Sequence, residues 1–136
     1  MPNSDFTIEN GVLKRYTGTA KDVVIPDGVT YIPIFTFRDH SEIKNISIPK
    51  SVTYIGHCAF SGCTALASIS IPEGITDIPP STFAHCKGLK SIYIPNSIVF
   101  IGNAAFYGCD ELKIHAPKGS YAEWYAKENN IPFVVE

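Results

Sequence analysis

Hydrophobic positions recur along this chain at a constant interval of 23 residues. Proline and phenylalanine keep that interval in four units, and cysteine keeps it in three: Pro26, Pro49, Pro72 and Pro95; Phe37, Phe60, Phe83 and Phe106; Cys63, Cys86 and Cys109. Isoleucine, valine or leucine fills further columns between them. A unit this short cannot bury its apolar face alone, so it must share that face with its neighbours. The pattern therefore predicts a stack of coils around one continuous core.

Each unit also contains a segment in which apolar and polar residues alternate. In residues 66–71, Ile69 and Ile71 lie two positions apart, so both side chains point inward while Ser70 points outward. The proline that follows has no backbone N–H and should end the pairing there. A second extended piece, at residues 52–55, precedes a turn that carries the phenylalanine. We therefore predict short parallel strands on two sides of every coil.

The repeated pattern I-P-x-[SG]-[VI]-T-x-I-[GP]-x-x-x-F-x-G-C-x-x-L resembles the BspA-like leucine-rich repeat of bacterial surface proteins. Residues 48–63 match it best, and the resemblance covers residues 25–115. It implies a leucine-rich-repeat solenoid, rich in β-structure, with short parallel strands stacked in 23-residue coils. Three departures predict local distortion: His40 replaces the column cysteine of the first unit, and Pro79-Pro80 and His85 replace small residues in the third.

The two ends of the chain are expected to cap the stack, all within one domain. Residues 1–24 are predicted as a β-hairpin cap that turns at Asn10-Gly11, since both residues tolerate positive φ. Residues 25–115 form the four repeats, and residues 116–136 form a helix-and-strand cap. Ser120 as N-cap with Glu123 three residues later predicts a capping box at the start of this helix.

Three aromatic residues lie on the predicted C-terminal helix, namely Tyr121, Trp124 and Tyr125. They could form a ligand site or a lid on the last coil. We favour the lid, because the terminal coil of a solenoid needs its apolar face covered.

Composition and charge limit the classes of function. The formal net charge of −2 offers no basic surface for nucleic acid and no polybasic membrane patch. No run of apolar residues is long enough to span a membrane, so direct membrane insertion is not expected. The polar start of the sequence lacks the features of a signal peptide. The resemblance implies an extracellular or cell-surface location, with the cytoplasm as the alternative.

The four cysteines raise the question of metal, disulfide or catalytic chemistry. Cys63, Cys86 and Cys109 form a structural column, and small size at a tight turn explains them as buried free thiols. Cys58 lies outside that column and is the better candidate for a reactive thiol. Paired zinc-ligand spacings, nucleophile motifs and phosphate-binding glycine loops do not occur. We therefore expect no enzyme, no cofactor and no metal site.

The better candidates for a functional surface are outward-facing columns of side chains. One column consists of residues that immediately precede an inward isoleucine, and a second contains one aromatic residue beside Ser47 and Ser70; the candidate partner-binding residues are Tyr31, Tyr54, Asp77 and Phe100, with Tyr93 in the second column. Exposed aromatic residues on a rigid sheet are typical of binding surfaces. The alternative is that they stabilise the strand ladder as cross-strand neighbours.

Three functions remain open from the sequence. The first, which we favour, is a module that binds a protein or a glycan, with adhesion implied by the family resemblance. The second is a structural or intracellular scaffold without a ligand of its own. The third is an enzyme or redox protein that uses Cys58 or the cysteine column.

Overall fold

The computed structural model describes residues 2–136, and side chains from residue 4 onward. Its first elements are a 3-10 helix (Pro2–Asp5), β1 (Phe6–Glu9), β2 (Val12–Tyr16), β3 (Asp22–Val24), β4 (Tyr31–Ile32), β5 (Asn45–Ser47) and β6 (Tyr54–Ile55). Then follow β7 (Ser68–Ser70), β8 (Asp77–Ile78), β9 (Ser91–Tyr93), β10 (Phe100–Ile101), β11 (Lys113–Ala116), α1 (Tyr121–Glu128) and β12 (Phe133–Val135). Each coil thus contributes one strand to each of two sides, as predicted.

The strands form a solenoid with a sheet on each of those sides. On one side, six strands lie in the order β12-β11-β9-β7-β5-β3. The other side carries a four-stranded sheet, β1-β2-β4-β6, and a separate pair, β10-β8. All pairs are parallel except β1 with β2, which form the predicted antiparallel hairpin. The predicted leucine-rich-repeat solenoid of parallel strands is confirmed.

A stack of phenylalanine rings runs through the core along the solenoid. The centroids of Phe37 and Phe60 lie 5.4 Å apart, as do those of Phe60 and Phe83, and Phe106 continues the stack at 5.6 Å. Neighbouring rings are parallel to within 4°. Since the same residue occupies the same place in every coil, each ring is covered by the next, and no coil could bury its own ring without a neighbour.

The cysteine column links consecutive coils by hydrogen bonds. The Sγ atoms of Cys63, Cys86 and Cys109 each donate to a phenylalanine carbonyl in the preceding coil, all at 3.1 Å. All three thiols are free and buried, which confirms the predicted structural column. Burial raises the pKa of Cys63 to about 12 and that of Cys109 to about 11, and it raises the pKa of Cys86 as well.

We expect this column to resist alkylation in the folded protein. Thiolate is the reactive form, and both burial and a raised pKa keep these thiols protonated at neutral pH. Mass spectrometry after brief iodoacetamide treatment should show Cys58, which is half-buried, modified first, and the other three modified only in denaturant. The variant Cys58→Ser serves as the control and should show no native modification. Native alkylation of Cys86 at a rate similar to Cys58 would contradict the column's structural role.

The turns that follow each second strand use the left-handed backbone conformation at two positions in every coil. The first position is Phe35, Cys58, Ser81 and Ala104, with φ between 57° and 64°. At the second position, Gly62 and Gly108 have φ of 78° and 83°, and Asp39 and His85 both have 63°. The distortion expected at His85 is therefore absent from its backbone φ, because the stacked turns hold a non-glycine residue in the same conformation.

The distortion expected at Pro79-Pro80 is present and has a simple cause. In the second coil the Gly56 N–H donates to the Ile32 carbonyl at 2.8 Å, and in the fourth the Gly102 N–H donates to the Ile78 carbonyl at 2.7 Å. Pro79 occupies the same position in the third coil and has no N–H to donate. The ladder is therefore interrupted between β6 and β8, and this side of the solenoid is divided into two sheets.

Helix α1 covers the last coil, but through small residues. Ala122 and Ala126 are fully buried, whereas Trp124 is 56% exposed. Trp124 therefore does not belong to the lid, which corrects the sequence-based interpretation. Tyr121 and Tyr125 pack partly against the core as expected, and the Tyr121 hydroxyl accepts a hydrogen bond from the Ile101 N–H at 3.2 Å.

The start of α1 follows half of the predicted capping box. The Ser120 hydroxyl accepts a hydrogen bond from the Glu123 N–H at 3.2 Å, as predicted. The Glu123 carboxylate accepts from the Gly119 N–H at 2.6 Å rather than from the N-cap residue itself. Glu123 also pairs with Lys127, one turn further along.

No helix among residues 2–136 is long and apolar enough to cross a membrane.

Candidate binding surfaces

The first candidate surface, which we call the aromatic face, consists of the outward side chains of four two-residue strands. These strands are β4, β6, β8 and β10, and in each the second residue is an isoleucine that points into the core. The first residue must therefore point outward. Tyr31 is 39% exposed, Tyr54 37% and Phe100 53%, while Asp77 is half-buried.

The interrupted ladder divides the aromatic face into two pairs. Tyr31 lies opposite Tyr54 in the β4–β6 register, and their rings stack with centroids 4.4 Å apart and planes 20° apart. Asp77 lies opposite Phe100 in the β8–β10 register, and its carboxylate accepts a hydrogen bond from the Thr76 hydroxyl at 3.2 Å. Partial burial raises the pKa of Tyr54, and the neighbouring Tyr31 adds to this effect. The backbone of both pairs is held in place because the isoleucine next to each outward residue is buried in the core.

The second candidate surface, which we call the serine face, is the outward side of the six-stranded sheet. A groove of about 350 Å³ runs across it, and the polar residues that line it are Asn45, Ser68, Ser70, Ser91, Tyr93, His115 and Glu136. Tyr93 lies here, in register with Ser70 on one side and His115 on the other. The five predicted site residues therefore occupy two different faces, and no single surface contains all of them.

Sequence reasoning missed the end of the serine groove. His115 Nδ1 lies 2.9 Å from a Glu136 carboxylate oxygen, and this pair closes the groove beside Tyr93. The fourth unit is shorter than the others, so Lys113 rather than Ile114 pairs with Ser91, and His115 is placed beside Tyr93. The shortened unit was visible in the sequence. The effect of the shortened unit on the strand register was not visible, because the register depends on where in the unit the missing residue falls.

The described residues offer little for metal or covalent chemistry. From residue 2 to residue 136, no group of three histidine, cysteine, aspartate or glutamate side chains is arranged to hold a metal ion. Cys58 is free and half-buried and belongs to the left-handed turn position rather than to a groove. What both faces provide is extended surface on a rigid support, which suits binding of an extended partner.

The architecture defines a leucine-rich-repeat protein. The family model for the BspA-type leucine-rich repeat region matches residues 7–124 with 6 copies of the repeat. The chain therefore belongs to the BspA-type leucine-rich repeat family. This family is generally a non-enzymatic repeat scaffold. No curated protein matches the chain.

Solved structures of similar proteins come from several bacteria. A leucine-rich repeat protein from Bacteroides ovatus is 33% identical to this chain, with a TM-score of 0.72. The matched region covers 85% of this chain and 30% of the B. ovatus chain. The leucine-rich repeat protein of T. pallidum is 30% identical (TM-score 0.62), covering 76% of this chain and 62% of its own. A leucine-rich cell surface protein from Faecalibacterium prausnitzii is 32% identical (TM-score 0.62), and the matched region covers 85% of this chain and 37% of the F. prausnitzii chain. This chain thus spans less than two thirds of each relative.

Proposed function

We propose that this chain is a non-enzymatic binding module of a cell-surface or secreted protein, and that its aromatic face docks a protein partner. The observation that carries the proposal is the exposed Tyr31–Tyr54 stack, held in register by the parallel pair β4–β6. Tyrosine provides a large contact area and loses little conformational entropy when it is already ordered. Phe100, on the neighbouring pair of strands, extends this exposed aromatic surface.

The surface location is supported by the family and by one relative. The F. prausnitzii protein, 32% identical to this chain, is described as a leucine-rich cell surface protein. Adhesion to components of another cell would use this location together with the aromatic face. The alternative is a scaffold without a ligand, in which the stacked tyrosines only strengthen the ladder as cross-strand neighbours.

A glycan is the second candidate partner, and the serine face is the observation that favours it. Its groove presents hydroxyl groups, one amide and the His115–Glu136 pair, which together donate and accept hydrogen bonds. Tyr93 adds a half-buried ring beside them. A sugar can use such groups through its own hydroxyls, whereas the exposed rings of the aromatic face resemble the aromatic residues that are enriched in the core of a protein interface.

The double variant Tyr31→Ser/Tyr54→Ser should lose protein binding while the fold persists. Removal of two aromatic anchors from the centre of an interface is expected to weaken affinity by about tenfold or more. Fluorescently labelled protein would be applied to an array of secreted and cell-surface proteins and to a glycan array, and hits quantified by biolayer interferometry. The matched control is Tyr107→Ser, since Tyr107 is 66% exposed but lies on a turn away from both faces.

The same screen separates the two candidate partners. Protein hits that are lost in the double variant but kept in Tyr107→Ser support the aromatic face. Glycan hits that are lost in Tyr93→Ser and kept in the double variant would assign binding to the serine face instead. Protein hits with unchanged affinity in the double variant would overturn the proposal.

A further inference from the structure

The six-stranded sheet ends in an open edge at β3. This strand pairs only with β5 in the part of the chain that the structure describes. The Lys21 carbonyl accepts from β5 and the Ile25 N–H donates to β5, both at 3.1 Å. Backbone groups of successive residues in a strand point to opposite sides. The N–H and C=O groups of Asp22 and Val24 therefore point away from β5, toward the open edge.

A cleft lies beside this edge, between β3 and the start of the N-terminal hairpin. Its volume is about 700 Å³. The apolar part of its wall comes from Phe6, Val23, Val24 and Pro26, and its charged residues are Asp5, Asp22 and Asp27. All charged residues that line the cleft are thus acidic. Lys21 is adjacent to Asp22 in the sequence but does not line the cleft. An exposed strand edge next to an apolar cleft is the arrangement to which an extended segment adds as a further strand.

The Tyr16 side chain forms part of the cleft wall and is only 5% exposed. Its hydroxyl oxygen is enclosed, with the backbone of Ala20 and the Asp5 carboxylate nearby, so the ring rather than the hydroxyl is presented to the cleft.

We propose that the β3 edge binds an extended peptide segment of another protein, in which apolar residues alternate with lysine or arginine. Main-chain groups of the segment pair with those of Asp22 and Val24. Because side chains of a strand alternate, apolar residues of the segment lie beside Val23 and Phe6, and the basic residues between them lie beside Asp22 on the outer surface.

Charge also selects this occupant over a second copy of the chain. If two β3 edges paired with each other, the acidic residues of both clefts would be brought together, which is unfavourable. A basic segment brings no such repulsion, because its lysine or arginine residues are attracted by the acidic residues of the cleft. This attraction weakens as salt is added. The β3 edge borders the serine face, where Asp22 accepts a hydrogen bond from the Asn45 side-chain amide at 2.8 Å. It lies on the other side of the coil from the aromatic face, so it does not depend on the proposed function.

The test is fluorescence anisotropy with a short labelled peptide in which valine alternates with lysine. Two peptides of the same length serve as matched probes: one with glutamate in place of lysine, and one with N-methyl groups on alternate residues, which removes the pairing N–H groups. We expect the basic peptide to bind in a salt-dependent manner and each matched peptide to bind at least about tenfold more weakly. Asp27→Lys should weaken binding of the basic peptide, while Tyr31→Ser/Tyr54→Ser should leave it unchanged.

Several results would overturn this proposal. They are failure of the basic peptide to bind, equal binding of the glutamate peptide, or equal binding of the N-methylated peptide. Because the probes vary while the protein stays wild type, the outcome holds even where a variant folds poorly, and circular dichroism identifies such variants. Analytical ultracentrifugation adds one more arm: a dimer that forms without peptide and becomes tighter in Asp27→Lys, where the acidic repulsion is relieved, would assign the edge to a second copy.

Discussion

Replacing Phe60 with alanine is expected to destabilise the protein by about 3–5 kcal/mol, the usual cost of removing a buried phenylalanine. Phe60 is 1% exposed and stacks on Phe37 and Phe83 at 5.4 Å on both sides. Its loss therefore leaves a cavity in the middle of the continuous core, where neither neighbouring coil can close the gap by itself. Urea denaturation followed by circular dichroism measures the free energy of unfolding directly.

Phe100→Ala is the matched control for this prediction. Phe100 belongs to an outward column of the same solenoid and is 53% exposed, so its removal should change the free energy of unfolding by no more than about 0.5 kcal/mol. Equal effects of the two variants would show that the ring stack does not hold the coils together.

The substitution Ala126→Asp is expected to detach the C-terminal cap and lower the free energy of unfolding by at least about 2 kcal/mol. Ala126 is fully buried in the face of α1 that packs on the end of the solenoid. A carboxylate there would lose its hydration without gaining a cation. The same denaturation experiment measures the cost, and Trp124 fluorescence reports separately on the surroundings of the helix.

Trp124→Asp introduces the same side chain into the same helix at an exposed position. Trp124 is 56% exposed, so this variant should stay close to wild type in stability. If it were the more destabilised of the two, the bulky aromatic residue would be part of the lid after all, and the small-residue contact assigned to α1 would be wrong.

The repeat made the fold readable from the sequence. Each column, such as Phe37 to Phe106, was a fourfold observation of one environment, so the inward and outward directions of neighbouring residues followed with little ambiguity. The hairpin turn at Asn10-Gly11 and the N-cap Ser120 were equally local signals, and both are present in the structure.

The features that sequence reasoning missed depend on contacts between distant residues. The break at Pro79 follows from the hydrogen bond that Gly56 makes with the coil before it, which no local pattern records. The sequence predicted Trp124 in the lid because the terminal coil needs its apolar face covered, but in the structure the alanines of α1 cover it. The open edge at β3 and its acidic cleft emerge only when the order of strands is known.

The division of the candidate residues into two faces follows from the two predicted strands of every coil. The strand that contains Tyr54 and the one that contains Tyr93 were predicted on different sides, and in the structure they belong to different sheets. The pairing of Tyr31 with Tyr54 was implied by their common column, and the structure adds that their rings are stacked at 4.4 Å.

The central claim is that the aromatic face is the contact surface for a protein partner. Hydroxyl-radical footprinting of the chain, free and bound to a partner recovered from the protein array, tests it most directly because no substitution is needed. The account predicts that oxidation of Tyr31, Tyr54 and Phe100 falls on binding while that of Tyr107 and Trp124 is unchanged. Protection of Tyr107 or Trp124, with the aromatic face still oxidised at the rate of the free chain, would contradict it.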